Sequence, residues 1–177
     1  KPIPDVEVRI VDEEGRNLPQ GSAGEIVIKG PNIMKGYFNR PSETAEVLKD
    51  GWLFTGDIGR LDSDGYLFIM DRKKDLILVN GMNLYPREVE EVLYRHPAVA
   101  DAAVVPKKDH VHGEIPIGVI LLKEGASANE AELKKFCKPH LAAFKIPHKF
   151  EFWKEIPRNG TGKILKREIK RIINEQK

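Results

Sequence analysis

The pattern of apolar residues changes near Asp71, and this change constrains the fold more than any other feature of the sequence. Before it, short segments rich in β-branched and aromatic residues alternate apolar and polar positions, as in VEVRIVD, GEIVIKG and GYLFIMD. After it, strands of this kind alternate with segments of helical periodicity. The sequence therefore predicts two cores, joined by the short charged link MDRKKD.

The first seventy residues are predicted to form a small sheet or partly closed barrel. DSDG at Asp62–Gly65 is a hairpin signal, and another turn is expected at Leu18–Gly24. One helix interrupts the strands, because Pro41 opens PSETAEVLKD and Gly51 follows its expected end.

The remaining residues are predicted to form a compact α+β unit in the order β-α-β-β-α-β-α, with helices packed on a small sheet. The helix in YPREVEEVLYRHP should bury one face, and the helix in SANEAELKKFCKPHL should begin at Ser127 or Asn129. The last helix should begin near Leu165. The expected apolar faces are Val89, Val92 and Leu93; Leu133, Phe136, Cys137 and Leu141; and Leu165, Ile169, Ile172 and Ile173.

Composition narrows the class of protein. Of 177 residues, 41% are apolar and 32% charged, as in soluble globular proteins, and no apolar run approaches the ~20 residues of a membrane span. The single cysteine, Cys137, fits a reducing cytoplasm and should be a core thiol. The chain has no leader and no initial Met, so we expect it to be a piece of a longer protein.

Charge and histidine content raise the questions of nucleic-acid binding and of a metal site. Residues 1–70 carry 8 Lys/Arg against 12 Asp/Glu, and residues 71–177 carry 21 against 15, so the second half suits an anionic partner or a solvated surface. A nucleic-acid module would use the basic side chains of Lys163, Lys166, Arg167, Lys170 and Arg171, but no aromatic stacking platform accompanies them. His110 and His112 lack partners at metal-ligand spacing, so no metal site is expected.

The segment PRNGTGK is similar to a phosphate-binding loop but fails its pattern at both ends. Pro157 stands where the first glycine belongs, and Ile164 replaces the hydroxyl residue that would reach Mg²⁺. A mobile, glycine-rich loop that carries Lys163 remains, or else a solvated turn before a helix.

Three further segments could carry chemistry, although each has a plainer explanation. LFTGDIG places Asp57 after Thr55 and Gly56 at the expected end of a strand, where its carboxylate could accept from two ribose hydroxyls or simply cap a turn. MDRKKD offers Arg72, Lys73 and Lys74, or only a solvated link. VNGMN places Gly81 after an apolar strand, where a ligand could approach closely or a turn could form.

Together, GEIVIKGPNIMKGYFNRP, GWLFTGDIG, DRKKDLILVNGMNLYPREVEE and PRNGTGK resemble the ATP-dependent adenylate-forming (AMP-binding) enzyme superfamily along the whole chain. The overall texture is most similar to fatty acyl-CoA synthetases. The resemblance implies a two-step reaction, in which a carboxylate and ATP give acyl-AMP, and CoA then displaces AMP. It also implies a last β-rich subdomain over residues 1–70, a hinge at 71–74 and a mobile C-terminal lid domain over 75–177.

The resemblance implies a role for each matching residue. Asp57, in the Thr55–Gly56–Asp57 segment, would hold the ribose hydroxyls with help from Arg72. Lys163 would enter the site for adenylation and stabilise charge on the α-phosphate. Lys74 would contact nucleotide and serve as the hinge, where many members have Asp. The pantetheine path of CoA would follow Gly81, Met82 and Asn83.

The resemblance also implies that much of the active site lies outside this sequence. The phosphate loop, the adenine motif, the Mg²⁺-binding Glu and the acyl pocket all precede the point where the chain begins. ATP with Mg²⁺ and CoA are therefore expected to act together with an N-terminal domain, and the chain alone should be inactive. The alternative is an adenylation domain that loads a carrier protein.

Overall fold

The computed structural model describes residues 1–175, which divide into two compact units between Lys74 and Asp75. This division lies at the end of the charged link, where the pattern of apolar residues changes. Both units are mixtures of strands and helices, so the α+β class predicted from the sequence is confirmed.

The first unit is an antiparallel five-stranded sheet with one helix. Strand β2 lies between β1 and β4, and β4 also pairs with β3 and β5. The elements are β1 (Glu7–Val11), β2 (Gly24–Lys29), α1 (Pro41–Val47), β3 (Leu48–Lys49), β4 (Trp52–Leu61) and β5 (Leu67–Arg72).

Strand β4 organises the first unit because it has three partners. Its early residues pair with β3, and its later residues pair with β5, while β2 follows its other edge. The register shifts between Glu25 and Val27 on β2 and between Ile58 and Gly59 on β4, so the sheet bends at this point. Asp57 therefore lies in the middle of a strand, and the expectation that it ends one is wrong.

Helix α1 is shorter than predicted. It stops at Val47, because Leu48 is extended and pairs with Leu53 of β4. Asp50 (φ 51°) and Gly51 (φ 80°) then form a two-residue hairpin turn before Trp52. Gly51 thus serves a hairpin rather than a helix end. The hairpin predicted at Asp62–Gly65 is confirmed.

The second unit has three layers, with helices on both faces of a five-stranded sheet. Its elements are β6 (Ile77–Val79), β7 (Met82–Leu84), α2 (Pro86–Tyr94), β8 (Val99–Asp109), β9 (Gly113–Leu122), α3 (Glu130–Cys137), β10 (Lys149–Phe152) and α4 (Lys166–Glu175). Short 3-10 helices occupy Lys73–Asp75 and Ala143–Lys145.

Strand β8 is buried on both faces, which explains its continuous apolar run. Ala102 and Val104 face the core formed with α2 and α3, and Ala103 and Val105 face the core formed with α4. The first core includes the predicted residues Val89, Val92, Leu93, Leu133, Cys137 and Leu141, and the second includes Ile169 and Ile173.

Three details differ from the sequence-based expectation or decide between its alternatives. Strand β7 is additional to the predicted order, because Asn80–Gly81 is a hairpin turn. Leu165 is 38% exposed just before α4 and does not belong to the buried stripe. Asn129 is the N-cap of α3, and its side chain forms a reciprocal capping box with Glu132.

None of the helices in residues 1–175 combines the length and hydropathy that crossing a membrane requires. Over the same residues, no group of three His, Cys, Asp or Glu side chains is arranged to hold a metal ion.

Candidate active site

The Thr55–Asp57 segment makes a hydrogen-bonded bend within β4. Thr55 Oγ1 donates to Ile26 O at 2.8 Å and accepts from the Asp57 amide at 3.1 Å. Gly56 has φ 70°, a conformation that few other residues adopt. The bend is therefore fixed by the hydroxyl of Thr55 and by the glycine, and it presents Asp57 beside the bulge of the strand.

Glu25 supports this bend from beneath. Its side chain is buried, and it accepts from the Gly56 amide at 3.1 Å and from Lys73 Nζ at 2.7 Å. A buried carboxylate needs such partners because an unpaired charge is costly away from water. Glu25 thus ties the bend to the charged link that follows β5. Sequence reasoning missed this role, since Glu25 occupies an ordinary alternating position in β2.

Asp57 and Arg72 are direct partners across β4 and β5. Arg72 Nε lies 3.3 Å from Asp57 Oδ1, and the two side chains are 59% and 31% exposed. The carboxylate therefore has a cation on one side and remains accessible to a ligand. A carboxylate in this setting can accept hydrogen bonds from a pair of vicinal hydroxyls.

A cleft of about 410 Å³ opens beside this pair. Three of its lining residues are basic, and the other two belong to the bend: Thr55, Gly56, Arg72, Lys73 and Lys74. A small concave site with these cations favours an anionic ligand.

In the second unit, Asn80 and Gly81 form the turn between β6 and β7. Their φ values are 51° and 76°, and Val79 pairs with Met82 across the turn. A Cβ on Gly81 would meet no atom within 4 Å, so the backbone conformation rather than crowding calls for glycine. Met82 and Asn83 follow on the exposed part of the hairpin.

His112 holds this turn from the β8–β9 connection. Asn80 N donates to His112 O at 3.0 Å, and Asn80 Oδ1 lies 3.1 Å from His112 Nδ1. The sequence alone suggests a metal ligand as the only role for His112, so this contact is a new finding. The contact joins residues 32 positions apart and has no signal in the local sequence.

The Lys163 loop forms a closed turn before α4. Asn159 Oδ1 accepts from the amides of Thr161 and Lys163 at 3.0 and 2.9 Å. Asn159 N donates to Lys163 O, and Gly162 N donates to Asn159 O, each at 2.9 Å. Gly162 has φ 82°, as the bulge residue of such a turn requires. The glycines therefore supply turn geometry.

Arg158 anchors the loop to the body of the second unit. Its guanidinium donates to Gly162 O and pairs with the buried carboxylate of Asp101. Tyr94 OH donates to the same carboxylate at 2.5 Å. This chain of contacts has no signal in the local sequence, because Asp101 lies 57 residues before Arg158.

The amine of Lys163 is exposed, and no ion pair with it occurs within residues 1–175. Two other members of the basic C-terminal cluster have acidic partners. Lys166 Nζ lies 2.9 Å from Glu90 Oε1, and Arg171 pairs with Glu168 and Glu175. These two of the five basic side chains are thus paired locally, which weakens the nucleic-acid alternative.

The structure therefore brings the sequence-predicted residues into three places. In the first unit, Thr55, Gly56, Arg72 and Lys74 line one cleft, and Asp57 is the strand partner of Arg72. The second unit carries Gly81, Met82 and Asn83 on the β6–β7 hairpin, and Lys163 on the turn between β10 and α4.

Comparison with known proteins identifies relatives along the whole chain. Residues 88–163 match the AMP-binding enzyme C-terminal domain, and residues 1–38 match the AMP-binding enzyme family. A 2-succinylbenzoate–CoA ligase of Geobacillus kaustophilus is 47% identical over 98% of the chain and 35% of the relative. A long-chain-fatty-acid–CoA ligase of Bacillus subtilis is 47% identical over 99% of the chain and 31% of the relative.

A solved structure of the o-succinylbenzoate CoA synthetase MenE from Bacillus subtilis, in complex with the acyl-adenylate intermediate OSB-AMP, is also similar. It aligns with a TM-score of 0.91 and 42% identity, over 96% of this chain and 34% of the synthetase. The chain thus spans about a third of the length of the relatives that it matches. By its two family matches and by this likeness in sequence and structure, the chain belongs to the AMP-binding enzyme family.

Proposed function

We propose that this chain is the C-terminal part of an acyl-CoA synthetase, an ATP-dependent acid–thiol ligase. The complete enzyme would join a carboxylic acid to AMP, with release of pyrophosphate, and then transfer the acyl group to CoA. The names of the relatives, which are CoA ligases, and the acyl-adenylate bound to one of them support this proposal.

The cleft of the first unit would bind the nucleotide. Asp57 would accept from the two ribose hydroxyls, and Arg72 would orient the carboxylate and make a second ribose contact. Thr55 and Gly56 would set the position of Asp57, and Lys74 would contribute positive charge at the edge of the cleft.

Lys163 would stabilise the charge that develops when the carboxylate attacks the α-phosphate. A cation in a fixed position lowers the barrier because it need not reorganise during the reaction. The observation that carries the proposal is this lysine itself, since its backbone is fixed by Asn159 while its amine is exposed and has no ion pair within residues 1–175.

The test is to replace Lys163 in the complete enzyme and to measure the two half-reactions separately. Lys163→Ala should lower acyl-AMP formation by at least about a hundredfold, since removing one electrostatic donor typically costs that much. Thioester formation from supplied acyl-AMP should stay near the wild-type rate.

The matched control is Lys154→Ala, which removes an exposed lysine upstream of the loop and should leave both rates unchanged. An equal loss of both half-reactions in Lys163→Ala would contradict the assignment.

For the second step, we propose that the second unit changes orientation about Lys74 and that the pantetheine of CoA passes the hairpin of Gly81, Met82 and Asn83. The exposure of these three residues on a narrow turn is compatible with a passing ligand.

We propose a fatty acid as the first substrate class to assay, because one relative at 47% identity is a long-chain-fatty-acid–CoA ligase. The other relative at 47% is named for 2-succinylbenzoate, so the panel should include aromatic dicarboxylates. A carrier protein with a phosphopantetheine arm should be offered in place of CoA, and preferential loading of the carrier would favour the alternative function.

The 177-residue chain alone should release little or no pyrophosphate from ATP, Mg²⁺ and an acid, since it spans about a third of its relatives. The ligands of Mg²⁺ and the acyl pocket would lie in the N-terminal part of the complete enzyme. Turnover by the isolated chain at the rate of an intact synthetase would contradict this proposal.

A further inference from the structure

Three turns of this chain share one hydrogen-bonding pattern, and one of them carries Lys163. Each begins with Asp or Asn, has glycine at its fourth position with φ between 77° and 82°, and closes through two backbone hydrogen bonds. In each, Oδ1 of the first residue accepts from the amides of the third and fifth residues, at 2.8 to 3.0 Å. The turns are Asp12–Arg16, Asp62–Tyr66 and Asn159–Lys163.

The first turn shows what a carboxylate does to a cation at the fifth position. Asp12 uses Oδ1 for the turn and binds Arg16 Nε through Oδ2 at 2.7 Å. Desolvation raises the pKa of Asp12, but the hydrogen bonds and charge of Arg16 hold it below the ordinary value overall. The arginine is thus bound by the residue that closes its own turn.

The third turn also has a cation at its fifth position, but its first residue is neutral. Asn159 Oδ1 makes the two bonds of the turn and also accepts from Thr161 Oγ1 at 2.8 Å. Its remaining side-chain group is an NH₂ donor, which cannot bind an ammonium. This difference agrees with the unpaired amine of Lys163 within the described residues.

We propose that Asn159 is a positioning residue for Lys163: its amide fixes the turn, and its neutrality leaves the lysine amine free for the substrate. The proposal rests on the proposed role of Lys163 in adenylation. If Asn159 served the turn alone, aspartate would do equally well, because Asp12 and Asp62 make the same two bonds.

The experiment compares Asn159→Asp with Asn159→Ala, and two of its measurements do not depend on catalysis. In the 177-residue chain, exchange of the Lys163 amide should stay slow in Asn159→Asp and become at least about tenfold faster in Asn159→Ala, which lacks the acceptor. Acylation of the Lys163 amine by an amine-reactive ester should be about threefold slower in Asn159→Asp than in the wild-type chain. At 0.5 M salt this difference should disappear, because salt screens exposed charges.

In the complete enzyme, Asn159→Asp should slow acyl-AMP formation by about three- to tenfold at low salt, with recovery at 0.5 M salt. Asn159→Ala should slow the same step without recovery. Thioester formation from supplied acyl-AMP should not change in either variant.

The matched control is Asp62→Asn, the reverse exchange in a turn whose fifth residue is the uncharged Tyr66. It should leave both half-reactions unchanged. Wild-type amine labelling in Asn159→Asp at low salt would overturn the proposal. If labelling and amide exchange respond as expected while adenylation does not, the role of Lys163 fails and the role of Asn159 in the turn stands.

Discussion

Arg72 lies opposite Asp57 in the pairing of β4 with β5, and its guanidinium reaches the Asp57 carboxylate without covering it. The pairing of β4 with β2 is irregular opposite the bend at Gly56, and the cleft is lined by the neighbours of Asp57, namely Thr55, Gly56 and Arg72. An exposed ion pair of this kind contributes little to folding, so its geometry suits a ligand contact better than a structural role.

Replacing Asp57 should therefore affect nucleotide use far more than stability. Asp57→Asn should lower kcat/KM for ATP in the complete enzyme by about ten- to a hundredfold, the range expected when hydrogen bonds to a charged group are lost. The free energy of unfolding should change by less than about 1 kcal/mol. Glu43→Gln, which breaks the exposed pair of Arg40 and Glu43, is the control and should leave ATP use unchanged. An unchanged kcat/KM in Asp57→Asn would exclude the ribose contact.

A proline at Lys74 should uncouple the two half-reactions. Proline fixes its own φ and restricts Lys73, so the link would lose freedom at two residues. Lys74→Pro should change the ratio of adenylation to thioester formation by at least about tenfold, whereas Lys74→Arg, which keeps both the charge and a free backbone, should change it little. Equal scaling of both steps in Lys74→Pro would mean that the hinge lies elsewhere.

Two substitutions at Gly81 separate its conformation from its lack of a side chain. Alanine should cost about 1 kcal/mol of stability because φ is 76°, and asparagine should cost less because it tolerates this region. If pantetheine passes here, both variants should slow thioester formation and spare adenylation. A wild-type thioester rate in Gly81→Asn would assign the glycine to the turn alone. Stability is measured by urea unfolding and the rates by half-reaction assays.

Cys137 should be inert in the folded chain. Burial raises the pKa of its thiol to about 11, so at pH 8 roughly one thiol in a thousand is the reactive thiolate. Iodoacetamide should label the native chain slowly and the urea-unfolded chain quickly. The raised pKa means that the folded state favours the protonated thiol. The contribution of this thiol to the free energy of unfolding should therefore be fully present below about pH 9 and fall as the pH rises toward 11. Equal labelling of both states would show that the thiol is accessible.

Residue patterns predicted most of the fold because each core face follows a regular period. Val89, Val92 and Leu93 lie at helical spacing and are buried against the sheet. Turns that need two residues with positive φ are harder to predict. The sequence predicts a helix end at Asp50–Gly51 and either a ligand contact or a turn at Gly81, yet Asp50–Gly51 and Asn80–Gly81 both close two-residue hairpins and each adds a short strand.

The residues proposed to touch the substrate come from local motifs, so the sequence could suggest them. The residues that hold these motifs in place are remote in sequence and could not be found from local motifs. Glu25 lies 31 residues before Gly56, His112 lies 32 after Asn80, and Asp101 lies 57 before Arg158. Each of these contacts is created by strand pairing or packing, which a single sequence does not reveal.

In the turn that carries Lys163, some residues fix the backbone conformation and others do not. Asn159 supplies the acceptor, Gly162 the positive φ, and Thr161 a further hydrogen bond to Asn159, while a Cβ on the exposed Gly160 would meet no atom within 4 Å. Selection can therefore alter position 160, and with it the outer surface of the loop, without displacing the lysine. Such an arrangement separates the evolution of specificity around the loop from the preservation of its chemistry.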